Sequence, residues 1–246
     1  MMTSAIYWTL GEASQLPLGY SKDFLSDPEI QKFSSLRFPK RRDEWLLGRW
    51  AAKHLVQSIS EYRGFRLNEI EICNATKGAP FILRPDGEVL PDSLTISHSG
   101  RFALCALAPG ANFRIGADIE RIEPRSEAFI ADYFTPAEQQ LVASYPPETR
   151  QTAVNLIWSS KESLLKALGV GLHWDTRKVE IRDVDGIFPL GSDSGKWQKM
   201  QLGDFETRER QWAGWWQCRD NFVITLAGFT STPVDLKSAL LVEKRI

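Results

Sequence analysis

The sequence predicts an α+β fold with two similar halves in a pseudo-twofold arrangement, each a small antiparallel sheet packed against a long helix. Short segments with a period of two alternate with two long segments in which apolar residues recur at helical spacing. The two helical segments share a similar stretch, residues 50–53 (WAAK) and residues 158–161 (WSSK), and a strongly apolar strand follows each. This echo predicts a duplication, with one half at residues 1–112 and the other at residues 113–246.

In the first half, a short aromatic segment predicts a strand at residues 6–10, and a polar stretch follows. From residue 43 to about residue 61 the apolar residues recur on one side, which indicates a helix that ends before Gly64. The segments after it are short and apolar, and Gly- and Pro-containing turns separate them. They predict strands at residues 70–73, 80–83, 94–97 and 102–107.

The second half begins with a strand at residues 114–120. Helices are predicted near residues 126–133 and after Thr135, where Thr-Pro-Ala-Glu forms a capping box with proline at the first helical position. A long helix starts after Pro146 and Pro147 and ends at Gly169. The remaining strands are predicted at residues 179–182, 212–219 and 222–228, and the last 15 residues are predicted to form an irregular tail.

Composition excludes several classes of function. The formal net charge is −1, so no overall field favours nucleic acid or a membrane surface, and the tryptophans near the C-terminus are better explained by core packing than by base stacking. No apolar run reaches 18 residues, and the N-terminus lacks the pattern of a secretory signal. Three widely spaced cysteines predict neither a zinc site nor a disulfide framework, so we expect a cytoplasmic protein.

Two acidic residues share one face of the strand at residues 114–120. Asp118 and Glu120 alternate with apolar residues, and the rise of a strand puts their Cα atoms roughly 6.5 Å apart. Taken alone, such alternation is typical of a solvated sheet edge. Two like charges on one face repel, however, unless something neutralises them, and a divalent cation would do so.

The long second helix carries charged residues beside its apolar stripe. Trp158, Glu162 and Lys166 recur every four residues, and an exposed Glu–Lys pair at that spacing contributes only about 0.2–0.5 kcal/mol. If the acidic strand packs on this helix, three carboxylates and a lysine meet. Such a group of side chains can hold Mg²⁺ against a phosphate and place a cation near the charge that develops.

Together the two stretches resemble the signature of the 4′-phosphopantetheinyl transferases. The pattern is Gly-x-Asp-x-Glu at residues 116–120, followed by Trp-Ser-x-Lys-Glu-Ser-x-x-Lys at residues 158–166. Residues 95–100 (TISHSG) and 169–172 (GVGL) extend the resemblance, and the extra first half resembles the monomeric, pseudo-duplicated, surfactin-synthetase-activating type. The resemblance implies transfer of the 4′-phosphopantetheine arm of coenzyme A to a serine of an apo acyl or peptidyl carrier protein, giving holo carrier protein and 3′,5′-ADP.

The resemblance also implies roles for the charged residues of the second half. Asp118, Glu120 and Glu162 match the Mg²⁺ ligands, and Lys166 matches the lysine that contacts the phosphates and stabilises the leaving nucleotide. Glu162, directly or through a metal-bound water, is the candidate base. The position of Glu138 is also associated with proton transfer, although its capping box explains this residue fully.

Contacts with coenzyme A are implied for residues of both halves. Ser97 and His98 match the coenzyme-A-binding serine and histidine, and Lys161 is expected either to add charge beside Glu162 or to extend from the apolar stripe to the surface. The Gly-Lys-Pro turn typical of the family is Lys77-Gly78-Ala79-Pro80 in this chain. The lysine is missing at the Ala79 position, so Lys77 is the candidate contact in its place.

A basic run at residues 32–49 is expected to complete the grip on the phosphates, through Lys32 and Arg37. The alternative for this run is a solvated basic surface that docks an acidic carrier protein.

Two other functions remain open at this point. The same acids could serve a metal-dependent phosphohydrolase, or the chain could be a coenzyme-A-binding or carrier-docking module without turnover. Sequence patterns of P-loop, dinucleotide-binding, His-Glu-x-x-His and Gly-x-Ser-x-Gly sites are absent.

Overall fold

The computed structural model describes residues 5–17, 21–59, 62–111, 113–184, 195–203, 211–230 and 239–246. The chain divides into two compact units, Met1–Phe113 with Ala239–Ile246, and Arg114–Ser238. The C-terminal residues 239–246 therefore lie in the first unit, whereas the sequence predicts them in the second half. None of the described helices is long and apolar enough to cross a membrane.

The first unit is a sheet covered by one long helix. The elements are β1 (Ala5–Glu12), α1 (Ser21–Phe24), α2 (Asp27–Ser35), α3 (Pro39–Gln57), β2 (Glu71–Asn74), β3 (Pro80–Leu83), β4 (Ser93–Ser99), β5 (Phe102–Ala108) and β11 (Leu240–Glu243). The sheet has the order β11-β1-β5-β4, in which β1 pairs with β11 in parallel and with β5 antiparallel, and β4 pairs with β5 antiparallel. Strands β2 and β3 form a separate antiparallel pair.

Helix α3 packs on β1, β4 and β5 because its apolar residues lie on one side. Leu47, Ala51 and Leu55 are buried in the same cluster as residues of these strands, among them Leu94, Ala103 and Leu107.

The second unit has the same kind of construction. The elements are β6 (Phe113–Arg121), α4 (Glu127–Tyr133), α5 (Pro136–Ser144), α6 (Pro147–Ala167), β7 (Ile181–Val184), β8 (Gln198–Leu202), β9 (Gln211–Arg219) and β10 (Phe222–Thr230). The sheet has the order β6-β10-β9-β8-β7, and the helix α6 packs mainly on β10. The predicted α+β class, with a sheet against a long helix in each unit, is confirmed.

The element order in the two units supports the predicted duplication. In each unit a first strand (β1 or β6) is followed by a short helix with a capping box and then by a long helix. Two short strands come next, and a hairpin closes the unit (β4–β5 or β9–β10), in which the last strand neighbours the first one.

Four of the helices and strands were not predicted from the sequence. Helix α1 lies in the polar stretch that follows the first strand. Helix α2 begins in the segment treated as polar loop, although Ser26 and Glu29 form a capping box with proline between them. Strand β8 lacks a strong apolar pattern, and β11 lies at residues 240–243, within the predicted irregular tail. Strand β11 forms because residues 240–243 pair with β1, a contact between distant parts of the chain that no local pattern encodes.

Candidate active site

Strand β6 buries its first acidic residue. The apolar residues Ile115, Ala117 and Ile119 are buried, and the side chain of Asp118 is only 2% exposed. The solvated-edge interpretation of this strand is therefore wrong for Asp118, whereas Glu120, one residue beyond Ile119, is partly exposed.

Helix α6 approaches β6 closely at Gly116. A Cβ atom added there would lie 1.9 Å from the carbonyl oxygen of Ser163 and 2.6 Å from the backbone nitrogen of Ala167. The missing side chain therefore allows strand and helix to meet two residues before Asp118, so the predicted packing of the acidic strand on this helix depends on a glycine.

Asp118, Glu162 and Lys166 come together at this crossing. Lys166 Nζ donates to Asp118 Oδ1 at 2.6 Å and to the carbonyl oxygen of Ala117 at 3.2 Å, and it lies 3.6 Å from Glu162 Oε2. Two carboxyl groups thus share one lysine.

Burial and neighbouring charges shift the pKa values of Glu162 and Lys166. Burial, reinforced by the neighbouring charge of Asp118, raises the pKa of Glu162 to about 8. Burial alone would lower the pKa of Lys166, but the charges of Asp118 and Glu162 outweigh it and raise that pKa above its ordinary value. Lys166 therefore remains a cation at neutral pH, and Glu162 exchanges its proton near neutrality.

This pKa makes the stability of the metal-free protein depend on pH. Between about pH 4.5 and pH 8 the folded protein keeps a proton on Glu162 that the unfolded chain loses, so this residue's contribution to stability falls as the pH rises through that window. We expect Glu162→Gln to flatten the decline. Urea unfolding in EDTA at pH 5.5, 7 and 8 checks this, and equal pH slopes in the two proteins would contradict it.

Glu120 points to different partners. Its Oε2 accepts from Arg125 at 3.1 Å, and its Oε1 accepts from the indole Nε1 of Trp158 at 3.1 Å. Burial and the charge of Asp118 raise the pKa of Glu120, and Arg125 opposes them. Across the described residues, no three His, Cys, Asp or Glu side chains are arranged to hold a metal ion. The predicted triad is thus a close pair, Asp118 and Glu162, with the third acid held by Arg125 and Trp158.

We expect Glu120→Ala to be a milder lesion than loss of Asp118. Arg125 keeps its contacts with Glu123 at 3.6 Å and with Asn155 at 3.1 Å, so the substitution does not leave the Arg125 guanidinium without a partner. Activity should fall by about 10- to 100-fold, the range typical of residues that orient a metal ligand. Steady-state rates of the two alanine variants, measured side by side, check this order, and the reverse order would contradict it.

Lys161 lies far from the position predicted for it. Its side chain is fully buried, and Nζ donates to Glu138 Oε2 at 2.5 Å and to the carbonyl oxygen of Val179 at 2.7 Å. Burial lowers the pKa of Lys161 and raises that of Glu138, and the attraction between the two opposes both shifts. Because its ammonium group is fully buried and bonds to Glu138 and to the backbone of Val179, we assign Lys161 to the fold.

Ser97 and His98 lie at the end of strand β4. Ser97 is buried, and His98 is partly exposed beside helix α3. A Cβ atom at Gly48 of that helix would lie 2.4 Å from His98 Nε2, so this glycine makes room for the imidazole ring. His98 also lines a cavity of about 660 Å³ together with Lys40 and Phe102. Gly48 and Lys40 were not singled out from the sequence.

The other predicted coenzyme A contacts are dispersed over exposed parts of the first unit. Lys32 lies in the last turn of α2, Arg37 lies between α2 and α3, and Lys77 lies in the turn between β2 and β3. None of the three lines the cavity beside His98 within the described part of the chain. Arg49, the last cation of the basic run, is buried and bonds to Asn74, so it belongs to the fold.

Comparison with known proteins identifies the family. A sequence model described as the 4′-phosphopantetheinyl transferase superfamily matches residues 114–227, which include all of the Asp118–Glu162–Lys166 group. The 4′-phosphopantetheinyl transferase Sfp of Bacillus subtilis is 31% identical over 173 residues, which cover 64% of this chain and 71% of that protein. This chain belongs to the 4′-phosphopantetheinyl transferase superfamily.

Two further proteins are similar to parts of this chain. The 4′-phosphopantetheinyl transferase HetI of a Nostoc species is 29% identical over 60% of this chain, and the match spans 61% of the length of HetI. A solved holo-(acyl-carrier-protein) synthase from Bacillus anthracis, in complex with CoA (3′,5′-ADP), covers 44% of this chain and 96% of its own, with 23% identity and a TM-score of 0.38.

Proposed function

We propose that this chain transfers the 4′-phosphopantetheine arm of coenzyme A to a serine of an apo carrier protein, as a holo-[acyl-carrier-protein] synthase does. The observation that carries the proposal is the meeting of Asp118, Glu162 and Lys166 inside the region that matches the superfamily. Two carboxylates beside one cation suit the handling of a diphosphate that is cleaved and a hydroxyl that loses its proton.

The donor set at this crossing fits Mg²⁺. Magnesium in proteins is bound by oxygen ligands, typically one or two carboxylates with waters and substrate phosphates. Asp118 and Glu162 supply two carboxylates that both lie within 4 Å of Lys166 Nζ, and the repulsion between their charges, which helps to raise the pKa of Glu162, would be relieved by a divalent cation. We assign these two as ligands, with Glu120 as an additional candidate. When bound, Mg²⁺ would neutralise the diphosphate and orient it.

The side chains of this group divide the remaining chemistry. Lys166, a permanent cation at neutral pH, binds the phosphates and stabilises the 3′,5′-ADP that leaves. Glu162 is the candidate base for the proton of the carrier serine, because it is a carboxylate of this group and lies 3.6 Å from Lys166 Nζ. The serine oxygen then attacks the β-phosphorus in line with the departing oxygen.

Support for coenzyme A binding in the first unit comes from the cavity beside His98. Its lining combines the apolar side chains of Leu47 and Phe102 with the charged side chains of Lys40, Asp43 and Glu44, so it offers an apolar surface with a few polar groups but no excess of positive charge for the phosphates. Lys32, Arg37, Lys77 and Ser97 remain proposed contacts on the basis of the resemblance. We also propose a monomer, because one chain carries both repeats, and a cytoplasmic location, in keeping with its free cysteines.

Release of 3′,5′-ADP tests this function against its rivals. The protein is incubated with coenzyme A and Mg²⁺, with and without a panel of apo acyl and peptidyl carrier proteins, and nucleotides are separated by chromatography. We expect release only in the presence of an apo carrier. Release without any carrier would indicate a phosphohydrolase, and coenzyme A binding without release under either condition would indicate a docking module.

A further inference from the structure

Each unit contains a fully buried lysine paired with a buried glutamate. In the second unit Lys161 contacts Glu138, and in the first unit Lys53 contacts Glu29. Both lysines are 0% exposed, and both occupy the fourth position of the repeated stretches at residues 50–53 and 158–161. Buried charges are costly unless they are paired and hydrogen-bonded, so two such pairs in equivalent positions indicate a retained structural role.

The two glutamates make equivalent backbone contacts. Glu138 accepts from the backbone nitrogens of Thr135 at 2.8 Å and Ile181 at 2.9 Å. Glu29 accepts from those of Ser26 at 2.9 Å and Ile72 at 3.0 Å.

The spacing along the chain is also the same. In both units the glutamate and the isoleucine are 43 residues apart. Each glutamate therefore joins the start of a short helix, a short strand and the long helix at one point.

The lysines complete the same junction through carbonyl oxygens. Lys161 Nζ donates to the carbonyl oxygen of Val179, two residues before β7, at 2.7 Å. Lys53 Nζ donates to the carbonyl oxygen of Phe24, at the end of α1, at 2.6 Å and to that of Leu67, four residues before β2, at 3.1 Å. Both ammonium groups are thus enclosed by one carboxylate and by backbone oxygen.

The neighbouring chemistry is not repeated. The residue after Lys161 is Glu162, a member of the candidate active site, but the residue after Lys53 is His54, whose Nδ1 lies 2.8 Å from the carbonyl oxygen of Trp50 on the same helix. The pair is therefore present in a unit that lacks the acidic group. A direct role of Lys161 in binding phosphate or of Glu138 in proton transfer would not explain the first copy.

We propose that Glu138 and Lys161 are positioning residues that fix helix α6 against α5 and β7, so that Glu162 on an adjacent face of α6 reaches Asp118. Consecutive helix residues are about 100° apart, so anchoring Lys161 sets the rotation of the helix at Glu162. The part of this inference that concerns Glu162 rests on the proposed function, whereas the anchoring of α6 does not.

Paired neutral substitutions test the proposal. Lys161→Met with Glu138→Gln removes both charges and leaves no buried ion alone, so the variant should fold, as judged by circular dichroism and the urea midpoint. We expect faster amide hydrogen exchange in α6, a fall in kcat of about 10- to 100-fold, and an unchanged KM for coenzyme A. The control in the first unit is Lys53→Met with Glu29→Gln and Arg49→Met, because Glu29 contacts both buried cations and the triple change leaves none of the three charges behind. It should leave kcat within about twofold of the original because no site carboxylate follows Lys53.

Other outcomes would overturn the proposal. A raised KM for coenzyme A with unchanged kcat and unchanged exchange in α6 would make Lys161 a substrate contact. If the double variant does not fold, the single Glu138→Gln variant takes its place, and lost activity with unchanged exchange would make Glu138 the base. If the unmodified protein shows no transfer at all, the proposed function fails, but hydrogen exchange still decides whether the pair anchors α6.

Discussion

Replacing Asp118 by alanine is expected to lower kcat/KM for carrier modification by at least about 10³-fold, equivalent to about 4 kcal/mol of transition-state stabilisation. The carboxylate is nearly enclosed, it accepts from Lys166 at 2.6 Å, and it is a proposed ligand of Mg²⁺. Its loss removes a proposed metal ligand and takes away one of the two carboxylates beside Lys166. Initial rates at saturating coenzyme A, at several Mg²⁺ concentrations, measure the effect.

The same substitution should leave the fold intact. Two carboxyl groups share one lysine in this group, so removal of Asp118 leaves a balanced pair of Glu162 and Lys166 and relieves the repulsion between the acids. Asp132→Ala, which removes an exposed acid in the same unit, is the matched control and should retain full activity. Near-normal rates for Asp118→Ala with a normal circular dichroism spectrum would show that the acidic group is misassigned.

Replacing Gly116 by alanine is expected to have the largest effect on stability. The added methyl group would lie 1.9 Å from the Ser163 carbonyl oxygen and 2.9 Å from Lys166 Cβ, and main-chain atoms inside a buried helix cannot rotate away. Overpacking of this kind costs about 3 kcal/mol, which corresponds to a fall in Tm of roughly 6–12 °C for a chain of this size. Activity should fall as well, because β6 and α6 carry Asp118 and Glu162.

Gly64→Ala is the matched control for this change. A Cβ atom at Gly64 meets no atom within 4 Å, so the same substitution should alter the free energy of unfolding by no more than about 0.5 kcal/mol. Thermal unfolding of both variants checks the comparison. Equal Tm values for Gly116→Ala and the original protein would mean that helix and strand are not in contact at this point.

Much of the fold could be predicted because its information is local. Alternating and helical periodicities gave the strand that bears Asp118 and the helix that bears Glu162 and Lys166. If these two elements pack together, three carboxylates and a lysine are expected to meet. Asp118, Glu162 and Lys166 do meet in the structure, whereas Glu120 bonds to Arg125 and Trp158. Helix α2 could have been found as well, since Ser26 and Glu29 carry the same capping signal that identified the helix after Thr135.

The remaining features depend on contacts between distant residues. Lys161 adjoins Glu162 in sequence, but on a helix neighbouring residues face different ways, and its partners Glu138 and Val179 come from other elements. Glu120 likewise bonds to Arg125 in a loop and to Trp158 on a helix, and sequence periodicity cannot predict that these two side chains lie near the strand. Charge and spacing alone could not distinguish a buried ion pair from a site for phosphate.

The intact mass of an apo carrier protein tests the central claim most directly. The carrier is incubated with this protein and coenzyme A, once with Mg²⁺ and once with EDTA, and then weighed by mass spectrometry. The account predicts a mass gain of one 4′-phosphopantetheine with Mg²⁺ and no gain with EDTA or with the Asp118→Ala variant. A gain of the same extent in EDTA would contradict the assignment of Asp118 and Glu162 as metal ligands, and no gain on any carrier of the panel would contradict the transferase itself.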